Sequence, residues 1–416
     1  MSRTRAFRPS RECDATNTGY AYVIDVTYRV EDDPPMTTTT PTTAGPTELP
    51  SRAARLLGRP LALGDVTLAN RMVMAPMTRR FSPGGVPGED VAAYYARRAA
   101  GGVGLIITEG TYVGRDAAEA YDNVPYFHGD EALAGWARVA ERVHEAGGRI
   151  MPQLWHTGVA RPDGAAPLGV PADTPSGTGL DGRPHGKEMT QADIDAVVGA
   201  FARAAADAER AGFDGVELHG AHGYLIDTFL WHGTNRRTDA YGGDHTSRAR
   251  FAAEIVTAVR AAVSPGFPVV FRLSQWKADH YDARLAETPQ ELERLLAPLA
   301  AAGVDAFHAS TRRYWLPEFE DGDLNLAGWT KKLTGKPTIT VGSVGLDQEF
   351  RGARNSADHA GVTGIEPLLD RLERDEFDAV AIGRALISDA EWPAKALTDR
   401  LHEAVPYHAS QLGTLV

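Results

Sequence analysis

Gly215-Val216-Glu217-Leu218-His219-Gly220-Ala221-His222-Gly223-Tyr224-Leu225 reads as a short buried strand that carries chemistry at its end. Val216 and Leu218 supply apolar strand side chains, and Gly220 and Gly223 supply a sharp exit where backbone comes close to a ligand. If one turn of helix follows the strand, His219 and His222 lie on one face, because residues three apart on a helix are neighbours. Two imidazoles and the Tyr224 phenol then share one space. The pair amounts to two ligands where zinc needs at least three, so a metal is the weaker functional reading and none is expected. Two ordinary loop histidines are the plain alternative, and the rest of the chain decides between them.

Working outward, seven more short apolar runs flank this one, at residues 72–77, 104–109, 149–154, 268–273, 304–309, 337–342 and 377–383. Stretches with helical apolar spacing lie between them, such as 191–211, 248–263 and 289–302, the last two closing into strands through Pro265-Gly266 and Gly303. Eight strand–helix units with no reversal predict an α/β fold of the (β/α)8 type, a TIM barrel, in which buried parallel strands read as continuous apolar runs. Residues 61–68 read as a β-hairpin turning at Gly64-Asp65 that caps the barrel. A doubly wound open sheet is the runner-up; against it, no glycine-rich fingerprint opens a helix after the first strand.

The totals agree. The 416 residues allow one large barrel domain, expected over 51–416. A net charge of -12 gives no support for nucleic acid or anionic membrane partners and favours a small-molecule substrate. The one cysteine, Cys13, excludes intrachain disulfides, multi-thiolate iron–sulfur clusters and cysteine-rich zinc sites, and fits a reducing cytoplasm. With no apolar run near membrane-spanning length and no basic-then-apolar leader, neither a membrane span nor export is expected. Residues 1–50 are rich in Pro, Thr and charge and too poor in periodic apolar residues to offset their ordering entropy, so a disordered extension is expected there. Met36 heads its Thr-rich part, and translation starting at Met36 is a further expectation.

In a barrel, function sits where the strands end. The first five runs end at Thr78, at Glu109-Gly110-Thr111-Tyr112, at Gln153-Leu154-Trp155-His156, at the His219, His222 and Tyr224 group, and at Arg272. Singly, each has a plainer account: Thr78 as a turn cap, Gln153 as a partner for backbone groups, Arg272 as the balance for Glu217 inside the barrel. Five polar ends at one face are harder to dismiss. The seventh and eighth ends offer Gly342-Ser343 and Gly383-Arg384, where exposed backbone N–H groups and a guanidinium suit a phosphate.

These stretches, Asn70-Arg71-Met72-Val73-Met74-Ala75-Pro76-Met77-Thr78-Arg79, Ile107-Thr108-Glu109-Gly110, Gln153-Leu154-Trp155 and His219-Gly220-Ala221-His222-Gly223-Tyr224-Leu225, resemble old yellow enzyme, the FMN-containing ene-reductases. So does Asn235-Arg236-Arg237-Thr238-Asp239-Ala240-Tyr241-Gly242-Gly243, and the resemblance runs in order from about Leu56 to about Trp392. It implies an oxidoreductase with FMN as cofactor and NADPH or NADH as reductant. It also implies roles by position. Thr78 would bond the flavin C4 oxygen and Gln153 the pyrimidine edge, with Arg272 near N1 and O2, where a cation stabilises the reduced ring. Ala75, Pro76, Met77 and Gly110 would line the ring, and Gly342, Ser343, Gly383 and Arg384 would hold the phosphate. His219 and His222 would bind the carbonyl or nitro oxygen of the substrate, His219 also bordering the cofactor, so that hydride from flavin N5 adds at the β carbon. Tyr224, a phenol with a reference pKa of about 10, would deliver the proton to the α carbon.

Tyr112, Trp155, Trp276 and Tyr314 are the further candidates for substrate contact. The loops at 275–285 and 311–320 depart from the best-known members and would line the substrate mouth, so Trp276, Tyr314 and Trp315 read either as pocket wall or as loop packing. With one cysteine, the cluster of the larger dienoyl-CoA reductase relatives has no ligands, and NAD(P)H is expected to share the alkene's pocket in a ping-pong cycle. Two other readings stay open: oxidative demethylation of a small N-methylated amine, with Trp276, Tyr314 and Trp315 as a cation-binding cage, and a flavin-free phosphate-binding lyase or isomerase. A monomer or homodimer is expected.

Overall fold

Strands β1 (Met72–Met74), β2 (Leu105–Tyr112), β3 (Ile150–Trp155), β4 (Val216–His222), β5 (Val269–Lys277), β6 (Ala306–Ser310), β7 (Thr338–Val341) and β8 (Ala379–Ile382) pair in parallel in chain order. The eighth returns to the first, Val380 opposite Met72, so the sheet closes and leaves no edge. Each of the eight expected runs overlaps one of these strands, and the architecture is the (β/α)8 barrel. The structure is a computed structural model that describes residues 50–416 apart from 168, 279, 321 and 351–357. The disordered extension and the Met36 start fall outside the described residues, except for Pro50.

Alternation along the strands sorts side chains to two sides of the wall. Val216 and Leu218 face the helices, in the same cluster as Phe201 and Ala204 of the helix Gln191–Arg210. Val73, Leu105, Met151, Val270, Ala306, Ile339 and Ala379 face inward and form the apolar lower layers of the interior. The antiparallel hairpin Leu61–Leu63 and Val66–Leu68 joins them from below through Leu63 and Leu68, and Asp65 N–H bonds to the Gly266 carbonyl ahead of β5. Higher on the same inward rows the chemistry changes. Gln153 follows Met151, Arg272 follows Val270, and His308 follows Ala306, so the barrel is filled with hydrocarbon at its base and with polar groups towards its C-terminal rim.

The helices begin and end where local chemistry requires. Thr190 and Asp193 form a reciprocal capping box at Gln191–Arg210, and Asp244 caps His245–Ala262 through its side chain. Thr288 and Pro289 open Pro289–Ala302, which closes at Gly303 in the left-handed region.

Two boundaries differ from the sequence expectation. β4 runs on through His222, and the following helix, Leu225–Leu230, starts only after Tyr224. His219 and His222 are therefore strand residues, and helical spacing is not what joins them. β5 runs through Gln275 and Trp276 to Lys277, into the stretch read as loop, because Lys277 pairs with His222 beyond a register shift at Gly220. Among the described residues, no helix is long and apolar enough to cross a membrane.

Candidate active site

Register lays out the upper interior. Gln153 stands opposite Glu217, and His219, Arg272 and His308 occupy one rung across β4, β5 and β6. Glu217 is fully buried, takes a hydrogen bond from Gln153 Nε2 at 2.7 Å and meets His308 Nδ1 at 2.6 Å. The carboxylate expected to balance Arg272 is thus committed to other partners. Arg272 is itself buried; its Nη2 donates to Ser310 Oγ over 3.4 Å, and its Nε has no partner. No carboxylate among the described residues forms an ion pair with it. A buried guanidinium without an ion-pair partner is costly, and burial lowers its pKa despite the pull of Glu217. The site is built to receive an electron-rich group there.

The corner after β4 brings the three candidate catalytic side chains together. The His219 and His222 rings lie 5.1 Å apart at 89°, and the Tyr224 ring lies 4.9 Å from His219. What turns them to one side is the backbone: His222 has φ +65 and Gly223 has φ +83. Trp155 meets Tyr224 edge to face at 4.8 Å, while Trp276 stacks on His222 at 4.3 Å. His222 Nε2 is 2.8 Å from Ser310 Oγ, and the His219 Nδ1 and Trp155 Nε1 atoms are buried with no partner. Such orphans are rare in folded proteins and point to a ligand.

Burial, with the Arg272 cation as the next contributor, holds both imidazoles well below the usual histidine range. Each is then neutral at pH 7 and owns one N–H donor. Nitrogen-15 NMR of histidine-labelled protein is expected to show both rings neutral from about pH 8 to about pH 6, across the range where a free imidazole titrates. A ring charged at pH 7 would contradict this placement.

The remaining candidates fall around the rim. Ala75 is buried, Pro76 and Met77 are half-buried and Thr78 is exposed. Glu109, whose role the sequence left unread, accepts the Arg79 and Arg80 N–H groups at 2.8 and 3.0 Å and so fixes the turn that carries Thr78; burial pushes its carboxyl up to about 7. The Trp155 indole lies across Gly110, 2.6 Å from where a Cβ would stand, so only glycine admits it. Gly383 adjoins Met77, the nearest atom to its would-be Cβ being the sulfur at 3.8 Å. Gly342 and Ser343 end β7, with the Ser343 hydroxyl donating to the Arg312 carbonyl. Arg384 is 3.3 Å from Asp358 and donates to the Gln348 carbonyl. An open glycine, a guanidinium at the strand ends and an uncompensated cation in the interior fit a flat cofactor with a phosphate tail, as FMN is.

Two candidates do not reach the histidines. Tyr112 stacks behind Trp155 at 5.3 Å, its hydroxyl held by the Ala120 and Tyr121 backbone. Tyr314 packs in the helix-side cluster with its ring on Trp315, and burial pushes its phenol up to about 12 beside Arg371 and Asp370. Trp276 is thus the one member of the expected aromatic cage at the histidine pair, and the three-sided cage is not assembled. The loops above are fastened together. Arg312 lies 3.6 Å over the Tyr281 ring, donates to the Phe350 carbonyl at 3.0 Å and pairs with Glu349 at 3.3 Å. Among the described residues, no group of three or more His, Cys, Asp or Glu side chains is placed to hold a metal.

Comparison with known proteins gives the same picture. Residues 57–403 match the family described as NADH:flavin oxidoreductase / NADH oxidase. An NADH oxidase of Thermoanaerobacter brockii is 35% identical over 357 residues, 82% of this chain, which spans half of that protein's length. The flavin oxidoreductase hxnT of Emericella nidulans is 35% identical over 358 residues, covering 81% of this chain and 89% of its own. 12-Oxophytodienoate reductase 7 of Oryza sativa subsp. japonica is 40% identical over 238 residues, 54% of this chain and 59% of that one. Among solved structures, morphinone reductase in complex with tetrahydroNAD superposes with a TM-score of 0.72 at 31% identity, covering 86% of this chain and 93% of its own.

Proposed function

The chain belongs to the NADH:flavin oxidoreductase / NADH oxidase family, and from that premise we propose that it is an ene-reductase acting on α,β-unsaturated carbonyl or nitro compounds. Membership makes it an oxidoreductase with FMN as cofactor and NAD(P)H as reductant. FMN, when bound, would supply the two-electron hydride chemistry between the nicotinamide and the alkene. In this reading residues 51–416 form one FMN-binding domain, active as a monomer or homodimer on a small-molecule substrate.

The chain's own groups do the rest. His219 and His222, as neutral donors, bind the substrate oxygen and draw electron density from the double bond. Tyr224 gives the proton to the α carbon, so that hydride and proton together saturate one C=C bond. Arg272, Gln153 and Thr78 would hold the polar edge of the flavin, and Ala75, Pro76, Met77 and Gly110 would line its flank. Gly342, Ser343, Gly383 and Arg384 would hold the phosphate. Trp155 and Trp276 border the substrate on two sides. The observation that carries the reading is the meeting of two imidazoles and a phenol beside a buried arginine whose Nε has no partner.

The purified protein is expected to be yellow, to bleach with NADPH or NADH in the absence of oxygen, and to regain colour on adding cyclohexenone. Bleaching by a small N-methylated amine without nicotinamide, and no recolouring by the enone, would overturn the proposal in favour of amine oxidation.

A further inference from the structure

Behind the corner that carries His222 and Tyr224 lies a buried ion pair to which the proposed reaction gives no part. Lys277 Nζ is 3.1 Å from the Asp227 carboxylate, and neither side chain is exposed to solvent. The carboxylate also accepts the Gly223 N–H at 2.7 Å. Gly223 and His222 are successive residues in the left-handed region, and the second is not glycine, a conformation that persists only where its surroundings enforce it. Lys277 enforces it from the neighbouring strand. It is the register partner of His222, the Ala278 N–H bonds to the His222 carbonyl at 3.1 Å, and Nζ donates to the Gln275 carbonyl at 2.7 Å. Tyr224 follows at once, leading into the short helix that carries Asp227.

A buried lysine–carboxylate pair is a poor source of stability, since apolar residues of similar volume often serve as well. Its value here is positional. We propose that Asp227 and Lys277 are positioning residues: the carboxylate, neutralised by the lysine, holds the Gly223 N–H and with it the corner that sets His222 and Tyr224 against the substrate. The inference rests on the ene-reductase reading. Burial pushes the Asp227 carboxyl up, and the Lys277 cation opposes that rise.

Two double variants of the FMN-loaded protein test this, and both remove the buried charges together so that neither leaves one bare. Lys277→Met/Asp227→Asn keeps an oxygen to accept the Gly223 N–H; Lys277→Met/Asp227→Leu does not. The Leu variant is expected to lose about 10- to 100-fold in kcat with cyclohexenone, while bleaching by NADPH stays within about threefold. Its His222 ring nitrogen-15 signals are expected to shift, and the Asn variant to recover both readouts. Equal rates and unshifted signals in the two variants would overturn the proposal, as would a parallel fall in melting temperature and both half-reactions, the mark of a merely structural pair. If the wild-type protein fails to reduce the enone but the His222 signals still separate the variants, the ene-reductase reading falls and the anchored corner stands.

Discussion

Replacing Tyr224 with phenylalanine is expected to slow reoxidation of the flavin by an enone about 10²- to 10⁴-fold, the usual worth of a placed proton donor. Bleaching by NADPH is expected to change by no more than about threefold, because hydride transfer from nicotinamide to flavin draws no proton from this phenol. The Tyr224 ring meets His219 and Trp155 at 4.9 and 4.8 Å, contacts that phenylalanine keeps. Stopped-flow measurement of the two half-reactions separates the cases. Equal slowing of both would remove Tyr224 from the proton path.

Arg272→Met is expected to act in opposite directions on the apoprotein and the holoenzyme. Without a carboxylate partner the buried guanidinium burdens the apoprotein, so an apolar side chain of similar length is expected to leave its melting temperature unchanged or raise it. The loaded enzyme loses a charged donor, typically about 1.5–3 kcal/mol. For a two-electron couple that corresponds to a flavin midpoint potential about 30–60 mV lower, together with weaker FMN retention. Potentiometry on the holoenzyme and calorimetry on the apoprotein read the two effects. A destabilised apoprotein with an unshifted potential would make Arg272 a structural residue.

Strand content was legible because a parallel strand buried on both faces is mostly apolar, and each of the eight runs is a short, mainly apolar segment between helical stretches. The strand ends were legible for the opposite reason: Gln153, His219 and Arg272 are polar residues closing apolar runs. What lay hidden depends on contacts between distant parts of the chain. Ser274 to Lys277 carry no apolar run, so their strand character comes only from pairing beside β4. The closeness of His219 and His222 arises from a left-handed residue that no spacing rule signals. Glu217, expected beside Arg272, instead joins Gln153 and His308, since adjacent strands offset their rows in a way one sequence does not display. Nothing local in the sequence marks Lys277 and Asp227 as a pair. Tyr314 and Trp276 were equivalent as loop aromatics, and packing alone sends one to the helices and the other to His222.

The fastening of the rim by Arg312 has a consequence for its loops. Arg312 joins the loops that follow three successive strands, through the Tyr281 ring, the Phe350 carbonyl and the Glu349 carboxylate. A loop inherited or transplanted alone from a relative arrives without its counterparts and must seat itself on a lip shaped for another. Replacing one of the three segments alone is therefore expected to lower the melting temperature more than replacing all three together.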